Sequence, residues 1–402
     1  MDGVPLLEFE RSRPGRKNRQ GGRWDWILVL LVSFLLPGCA SLAWRRYEPY
    51  SPLLGDPREL RQSVRTLLAS LTLEEKIAQR CILHIPRGLP VEEVEDYIRA
   101  RKPAGVILYR WNYDSLEDLV RLTAAIRRGY PAGYPAPFIC ADQEGGRVQA
   151  FRFKEFVQLP NAFQMGRYRD PAFIRAASYL TAVQLRETGV NMNLAPVLDV
   201  VEEGDSSIIG DRSFGGDPHW VEEAGRAYLA GMREARVIPV IKHFPGHGST
   251  RTDSHSRLPV VSLGEEELFH RDLIPFQGAI QAGAPVVMTV HILFPEVDPD
   301  YPATLSRKIL QGILRDRLKF GGVVMSDGLE MGALAGNYSL KETVKWSFQA
   351  GVDVLLLYTR YTIADIVSIV QELLLQGEIS EKEIDAGVER VLALKQAYGL
   401  LP

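Results

Sequence analysis

The sequence predicts an α/β protein, a single (β/α)8 TIM-type barrel, and three observations predict it. Short apolar runs recur at 80–85, 104–109, 137–141, 190–194, 238–241, 286–290, 322–325 and 352–357, each the length of a buried strand. Amphipathic segments of helical period separate them, among them 115–128, 171–188, 219–235, 263–282 and 306–318, as expected when parallel strands are joined by crossover helices. Polar residues suited to chemistry gather just after the apolar runs, where a barrel places its active site. An open doubly wound sheet has the same alternation and is the alternative fold.

The chain has 402 residues, 46% of them hydrophobic, enough for one large barrel. A net charge of −3 gives no field that would favour nucleic acid. Of three cysteines, Cys81 and Cys140 lie in apolar runs and read as inert core thiols. The first residues differ from the rest. A basic lead (Arg11, Arg13, Arg16, Lys17, Arg19, Arg23) precedes an apolar run at 26–36, which is short for a membrane span of about 20 residues. It suits the apolar region of a secretory signal. Leu36-Pro37-Gly38-Cys39 resembles a bacterial lipobox, with Pro37 unusual there, so an uncleaved anchor is the alternative, as is a cytosolic enzyme with an artefactual N-terminal extension. The expected organisation is a signal or lipoprotein segment at 1–39, a tether at 40–57 and a catalytic barrel at 58–402, membrane-anchored and exported. Within the barrel, Thr72 with Glu75 and Ser380 with Glu383 are capping boxes that start helices. The second helix buries Ile384, Val388, Val391 and Leu392.

The chemistry begins after the third run, at Asp142-Gln143-Glu144-Gly145-Gly146-Arg147. Asn193 and Asp199 follow the fourth run, Lys242 and His243 the fifth, His291 the sixth, and Ser326-Asp327 the seventh. Glu144, Gly145 and Gly146 read as a turn, since glycine permits close backbone approach. From Lys242 to His255 a Gly/Ser/Thr-rich loop leaves the fifth strand and ends on Asp253 and His255. In an extended segment those two side chains share a face, so the carboxylate orients and stabilises an imidazole suited to general acid–base work. His243, His247 and His255 also raise the question of a metal. The Phe-Pro-Gly between the first two rules out a shared helical face, and no metal or other cofactor is expected. Asp327 ends a very apolar strand. It is either the N-cap of a helix over 329–335 or a carboxylate presented to the barrel mouth.

The stretch KHFPGHG, four residues, then DSH (242–255) resembles the signature of family 3 glycoside hydrolases of the β-N-acetylglucosaminidase type. The resemblance runs from about Leu71 to the C-terminus. It implies that Asp327, in SDGLEM, is the nucleophile of a retaining glycosidase, and that His255 with Asp253 is its acid/base. It implies that Asp142, Arg212, Lys242 and His243 grip the sugar, with rim salt bridges the alternative for Arg212 and Lys242. Two departures stand out. Gly328 occupies a position where Asp or Ala is usual. Ala150 occupies one that usually carries an arginine, which moves that contact to Arg152 or Arg147. Asp199 and His291 read as structural supports. The expected substrates are N-acetylglucosamine-containing muropeptides, the expected state a monomer. A phosphorylase and a non-catalytic sugar-binding lipoprotein are the rival functions. The loop 244–258 is expected to move over substrate.

Overall fold

The computed structural model describes residues 57–254 and 256–402. The expected signal segment, Cys39, residues 40–56 of the tether, and His255 lie outside the described residues. Each of the eight apolar runs supplies one strand of a closed parallel barrel. The strands are β1 (Cys81–His84), β2 (Gly105–Ile107), β3 (Phe138–Ala141), β6 (Met192–Asn193), β7 (Ile238–Phe244), β8 (Val286–Thr289), β9 (Val323–Gly328) and β10 (Val354–Leu357). Between β3 and β6 a hairpin of β4 (Gln143–Gly145) and β5 (Val148–Gln149) stands apart from the barrel. Around the ring the order is β1, β2, β3, β6, β7, β8, β9, β10. It closes with Cys81 opposite Leu355 and Leu83 opposite Leu357.

Every strand of such a barrel is covered on both faces, so each reads as a continuous apolar run. The period of two is still present in three dimensions. Ile82, Phe138, Cys140, Ile238, Val240, Val286, Met288, Val323, Met325, Val354 and Leu356 point inward and pack together. Their neighbours Cys81, Leu83, Ile139, Ile241, Val287, Val324 and Leu355 pack outward on the helices. The C-terminal helix Glu381–Ala397 closes the lower end. Its Val391 and Leu394 join the inner cluster, and its buried Lys395 donates to Gln79 Oε1 at 2.7 Å.

Helix ends follow the sequence closely. Thr72 and Glu75, and Ser380 and Glu383, form the expected reciprocal caps. The segment 263–282, expected as one helix, is two: Glu265–His270 and Leu273–Gln281. Pro275 explains the break, because a proline is tolerated in the first turn and disrupts a helix interior. At the break sits Asp272, 2% exposed, with neither carboxylate oxygen hydrogen-bonded among the described residues.

Asp272 packs behind the loop that leaves β7; a Cβ on Gly246 would lie 2.8 Å from its own Cβ. Burial pushes its carboxyl up to about 6 from the ordinary 3.8, Arg271 at 3.6 Å only partly offsetting this. Between those pH values the folded chain holds a proton that the unfolded chain has lost, so stability falls as pH rises through the window. The ionised group therefore costs roughly 3 kcal/mol above pH 6. Asp272→Asn is expected to raise the melting temperature at pH 7.5 and leave it nearly unchanged at pH 4. An equal shift at both pH values would show that charge is not the cause.

Candidate active site

The C-terminal ends of the strands form a mouth with two unlike halves. Over β3, β6 and β7 it is charged. The β7 strand runs three residues past the apolar stretch, through Lys242, His243 and Phe244, and every residue in it is buried. Polar residues stay in a buried strand only when their charges are matched. Lys242 Nζ lies 2.7 Å from Asp142 Oδ1 and 2.7 Å from Glu144 Oε1. Burial works against its charge, but these two carboxylates outweigh it and raise its pKa. Glu144 also takes a two-point contact from Arg212, at 2.8 and 2.7 Å. Burial opposes its ionisation, yet Arg212 and Lys242 hold its carboxyl far below the usual range.

A second carboxylate braces the other half of β7. Asp199, 1% exposed, meets His243 Nδ1 at 2.7 Å and accepts the backbone N–H of His247 at 2.7 Å and of His243 at 3.3 Å. It thereby fixes the His243 ring and the start of the loop. Arg212 Nη2 stands 3.4 Å from the other ring nitrogen of His243. Asn193 holds the strand that carries Asp142: its amide accepts from Gln143 N–H and donates to Gln143 O, both at 3.0 Å. Asp199 and Asn193 thus both pin backbone at the mouth.

Asp327 lies within β9, and its Oδ1 accepts the Gly328 N–H at 2.8 Å. It caps no helix: the next one is the short Gly332–Ala335, preceded by Met331. Burial pushes its pKa up, but His291, His243, the Gly328 N–H and Lys242 together bring it below the usual carboxylate value. His291 is held beside it by donating from Nε2 to Gly328 O (3.0 Å), with Nδ1 2.8 Å from Thr304 Oγ1. An anionic, partly exposed carboxylate at the mouth is suited to nucleophilic attack.

In the loop after β7, Ser256 N–H and Arg257 N–H both donate to Asp253 O, at 3.1 and 3.2 Å. The expected pairing of Asp253 with His255 lies outside the described residues. The loop also reaches the segment that follows β9, since Ala333 N–H donates to the buried Ser254 O at 3.0 Å. Asp253 itself is exposed.

Arg147, expected at the sugar, reaches to Asp211 at 2.7 Å and to the carbonyls of Ile208 and Ile209 at 2.8 and 2.9 Å. It braces the segment that carries Arg212. Arg152 is exposed and folds back on Arg147 O at 2.8 Å. Ala150 is buried, its N–H on Asp142 O and its carbonyl accepting the Tyr113 hydroxyl. Sequence reasoning assigned Glu144 to a turn, whereas its side chain joins the two cations. The signal was charge balance: Arg212 and Lys242 at a buried mouth need more anion than Asp142 supplies.

Over β10, β1 and β2 the mouth is aromatic. Tyr358 follows β10 and its ring fills the space a Cβ on Gly328 would occupy, which is why glycine stands there. Tyr109 lies 5.9 Å from Tyr358, ring centre to ring centre, and Trp111 stacks on Tyr109 at 4.6 Å and 16°.

This barrel and mouth are those of a glycoside hydrolase. The model of the glycosyl hydrolase family 3 N terminal domain matches residues 72–394, and the chain belongs to that family. A beta-hexosaminidase of Hydrogenovibrio crunogenus is 39% identical over 269 residues, 65% of this chain and 73% of that protein. One from Xylella fastidiosa (strain M23) is 38% identical over 289 residues, 70% of this chain and 84% of that protein. Among solved structures, the family 3 β-N-acetylglucosaminidase from Paenibacillus sp. str. FPU-7 superposes with a TM-score of 0.76 at 34% identity. That match covers 82% of this chain, which spans 63% of the Paenibacillus one. The β-N-acetylglucosaminidase from Thermotoga maritima gives 0.71 at 28% identity, over 81% of this chain and 68% of that one.

Proposed function

We propose that the chain is an exo-acting, retaining β-N-acetylglucosaminidase that releases N-acetylglucosamine from peptidoglycan fragments. The observation that carries the reading is an ionised Asp327 facing a charge-matched cluster of Asp142, Glu144, Arg212 and Lys242. Such a cluster offers fixed donors and acceptors to sugar hydroxyls, and the carboxylate is free to attack. The names of the relatives, beta-hexosaminidase and β-N-acetylglucosaminidase, support the choice of sugar.

Asp327 attacks the anomeric carbon and the glycosidic oxygen leaves with a proton from His255, whose charge Asp253 stabilises. Water then attacks the glycosyl-enzyme, giving its proton to His255 and freeing Asp327, so configuration is retained. No metal or cofactor enters these steps. Asp142, Lys242, His243 and Arg212 hold the non-reducing sugar, and Arg147 acts through the Arg212 segment. The segment 26–39 anchors a monomeric enzyme at the membrane, outside the cytoplasm, through lipidated Cys39 or as an uncleaved anchor. Mass spectrometry of the mature N-terminus tests this part.

The reading is tested on a disaccharide of N-acetylglucosamine and anhydro-N-acetylmuramic acid, with and without phosphate. Free N-acetylglucosamine in both conditions is expected; a sugar 1-phosphate as main product would overturn hydrolysis. His255→Ala is expected to slow this substrate about 10²-fold or more, the scale of acid–base catalysis. The loss on an activated aryl glycoside is expected to be much smaller, since that leaving group departs without a proton. Equal losses on both would remove His255 from the acid role.

A further inference from the structure

The aromatic half of the mouth has no part in the chemistry above, and its construction points to a ligand. From the nucleophile strand outward, Gly328, Tyr358, Tyr109 and Trp111 are packed in sequence. The residues become more exposed along that line: Gly328 is buried, Tyr358 and Tyr109 are half-buried, and Trp111 is 50% exposed. Trp111 is also fixed. Its indole N–H donates to His84 Nε2 at 2.8 Å. His84 is 4% exposed, and burial lowers its pKa to about 4, so the ring is neutral and its proton sits on Nδ1. That nitrogen has no partner among the described residues. With Tyr109 against one indole face and the N–H bonded to His84, the accessible surface of Trp111 is its other face and outer edge. One exposed ring alone is ordinary on a protein surface; what sets Trp111 apart is that it is held by two contacts at the end of a run of rings that starts at the Asp327 strand.

We infer that Trp111 is the platform for the leaving-group sugar. The inference rests on the exo-acting reading of the Asp327 pocket. In such a pocket the terminal sugar lies at the bottom against the charged half, and the remainder of the substrate projects outward. A ladder of rings leading from the nucleophile to solvent meets that projecting part. The aromatic face carries partial negative charge, and the C–H face of a pyranose is its natural complement. The platform therefore selects a second sugar ring, while the charged half selects the first. A substrate whose leaving group has no ring gains nothing from it.

The test compares N-acetylglucosaminyl-β-1,4-N-acetylglucosamine with β-N-acetylglucosaminyl fluoride, whose leaving group is a single atom. In Trp111→Ala the ratio of kcat/KM for the disaccharide over that for the fluoride is expected to fall about tenfold. Trp111→Phe keeps an aromatic face but loses the bond to His84, and is expected to restore most of the ratio. An unchanged ratio in Trp111→Ala would overturn the platform. So would Trp111→Phe behaving like Trp111→Ala, since the His84 bond and not the face would then matter. Calorimetric binding of the disaccharide to Asp327→Asn, with and without Trp111→Ala, reads the same contact without turnover. A tenfold weaker affinity supports the platform and an equal affinity rejects it, even if the wild-type chain cleaves neither substrate and the exo-glycosidase reading fails.

Discussion

Asp327→Ala is expected to lower kcat by at least about 10⁴-fold, with the fold intact. Removing a nucleophile leaves only binding and electrostatic assistance, and such losses run from about 10⁴ to 10⁶ in enzymes that form covalent intermediates. Among the described residues, the neighbouring carboxylates of the charged half are engaged. Asp142 and Glu144 are committed to Lys242 at 2.7 Å, and Asp199 to His243 and His247. Asp327→Glu keeps the charge but displaces it, and an ångström of misplacement costs roughly 10²-fold. The acid limb of the pH profile is informative as well. The anion persists down to pH values below the ordinary Asp range, so Asp327 ionises below any limb seen between pH 5 and 8. Trapping with a 2-fluoro sugar followed by peptide mapping locates the bond. A label on another residue, or more than 1% of wild-type turnover in Asp327→Ala, would discard the assignment.

Glu144→Ala is expected to have the largest effect on stability of any single change at the mouth. The Glu144 side chain is 5% exposed, Arg212 18% and Lys242 3%. Deleting one partner of a buried ion pair destabilises by about 3–5 kcal/mol, because the remaining charge is left without a counter-ion. Lys242 retains Asp142, whereas Arg212 keeps, among the described residues, the edge of His243 at 3.4 Å and no carboxylate in hydrogen-bond contact, so the unmatched charge falls mainly on Arg212. Glu144→Gln preserves the shape and one hydrogen bond, and an intermediate loss is expected. The stabilisation by Glu144 is present above its unfolded pKa, near 4.3, and is lost as pH falls through its depressed folded value. Urea midpoints at pH 7 read the effect, with kcat/KM measured in parallel. A Glu144→Ala protein as stable as wild type would mean that solvent already screens the cluster.

The barrel was legible in the sequence for a specific reason. Strands covered on both faces must be apolar throughout, and each of the eight runs marked one. Where a strand continues through charge, the pattern stops early. The run 238–241 ends at Lys242, yet β7 reaches Phe244, because Asp142, Glu144 and Asp199 neutralise what would otherwise end it. The polar residues at the mouth were visible as residues that follow apolar runs. Their pairings were not, since Arg212 and Glu144 are 68 positions apart. The aromatic half was invisible for the same reason: His84 ends β1, Tyr109 follows β2 and Tyr358 follows β10, and they meet only once the ring closes. Gly328 looked like a minor departure from the usual residue, and Tyr358 gives it a cause.

The charge-matched half of the mouth has one more implication. Carboxylates at 142 and 144 set against the cations Arg212 and Lys242 cancel one for one, and a guest without charge gains no long-range pull from the remaining anions at 199 and 327. A visitor thus feels little long-range pull, and ionic strength should hardly alter how quickly a neutral carbohydrate arrives. For such a guest recognition begins only on contact, which makes the cleft a reader of stereochemistry.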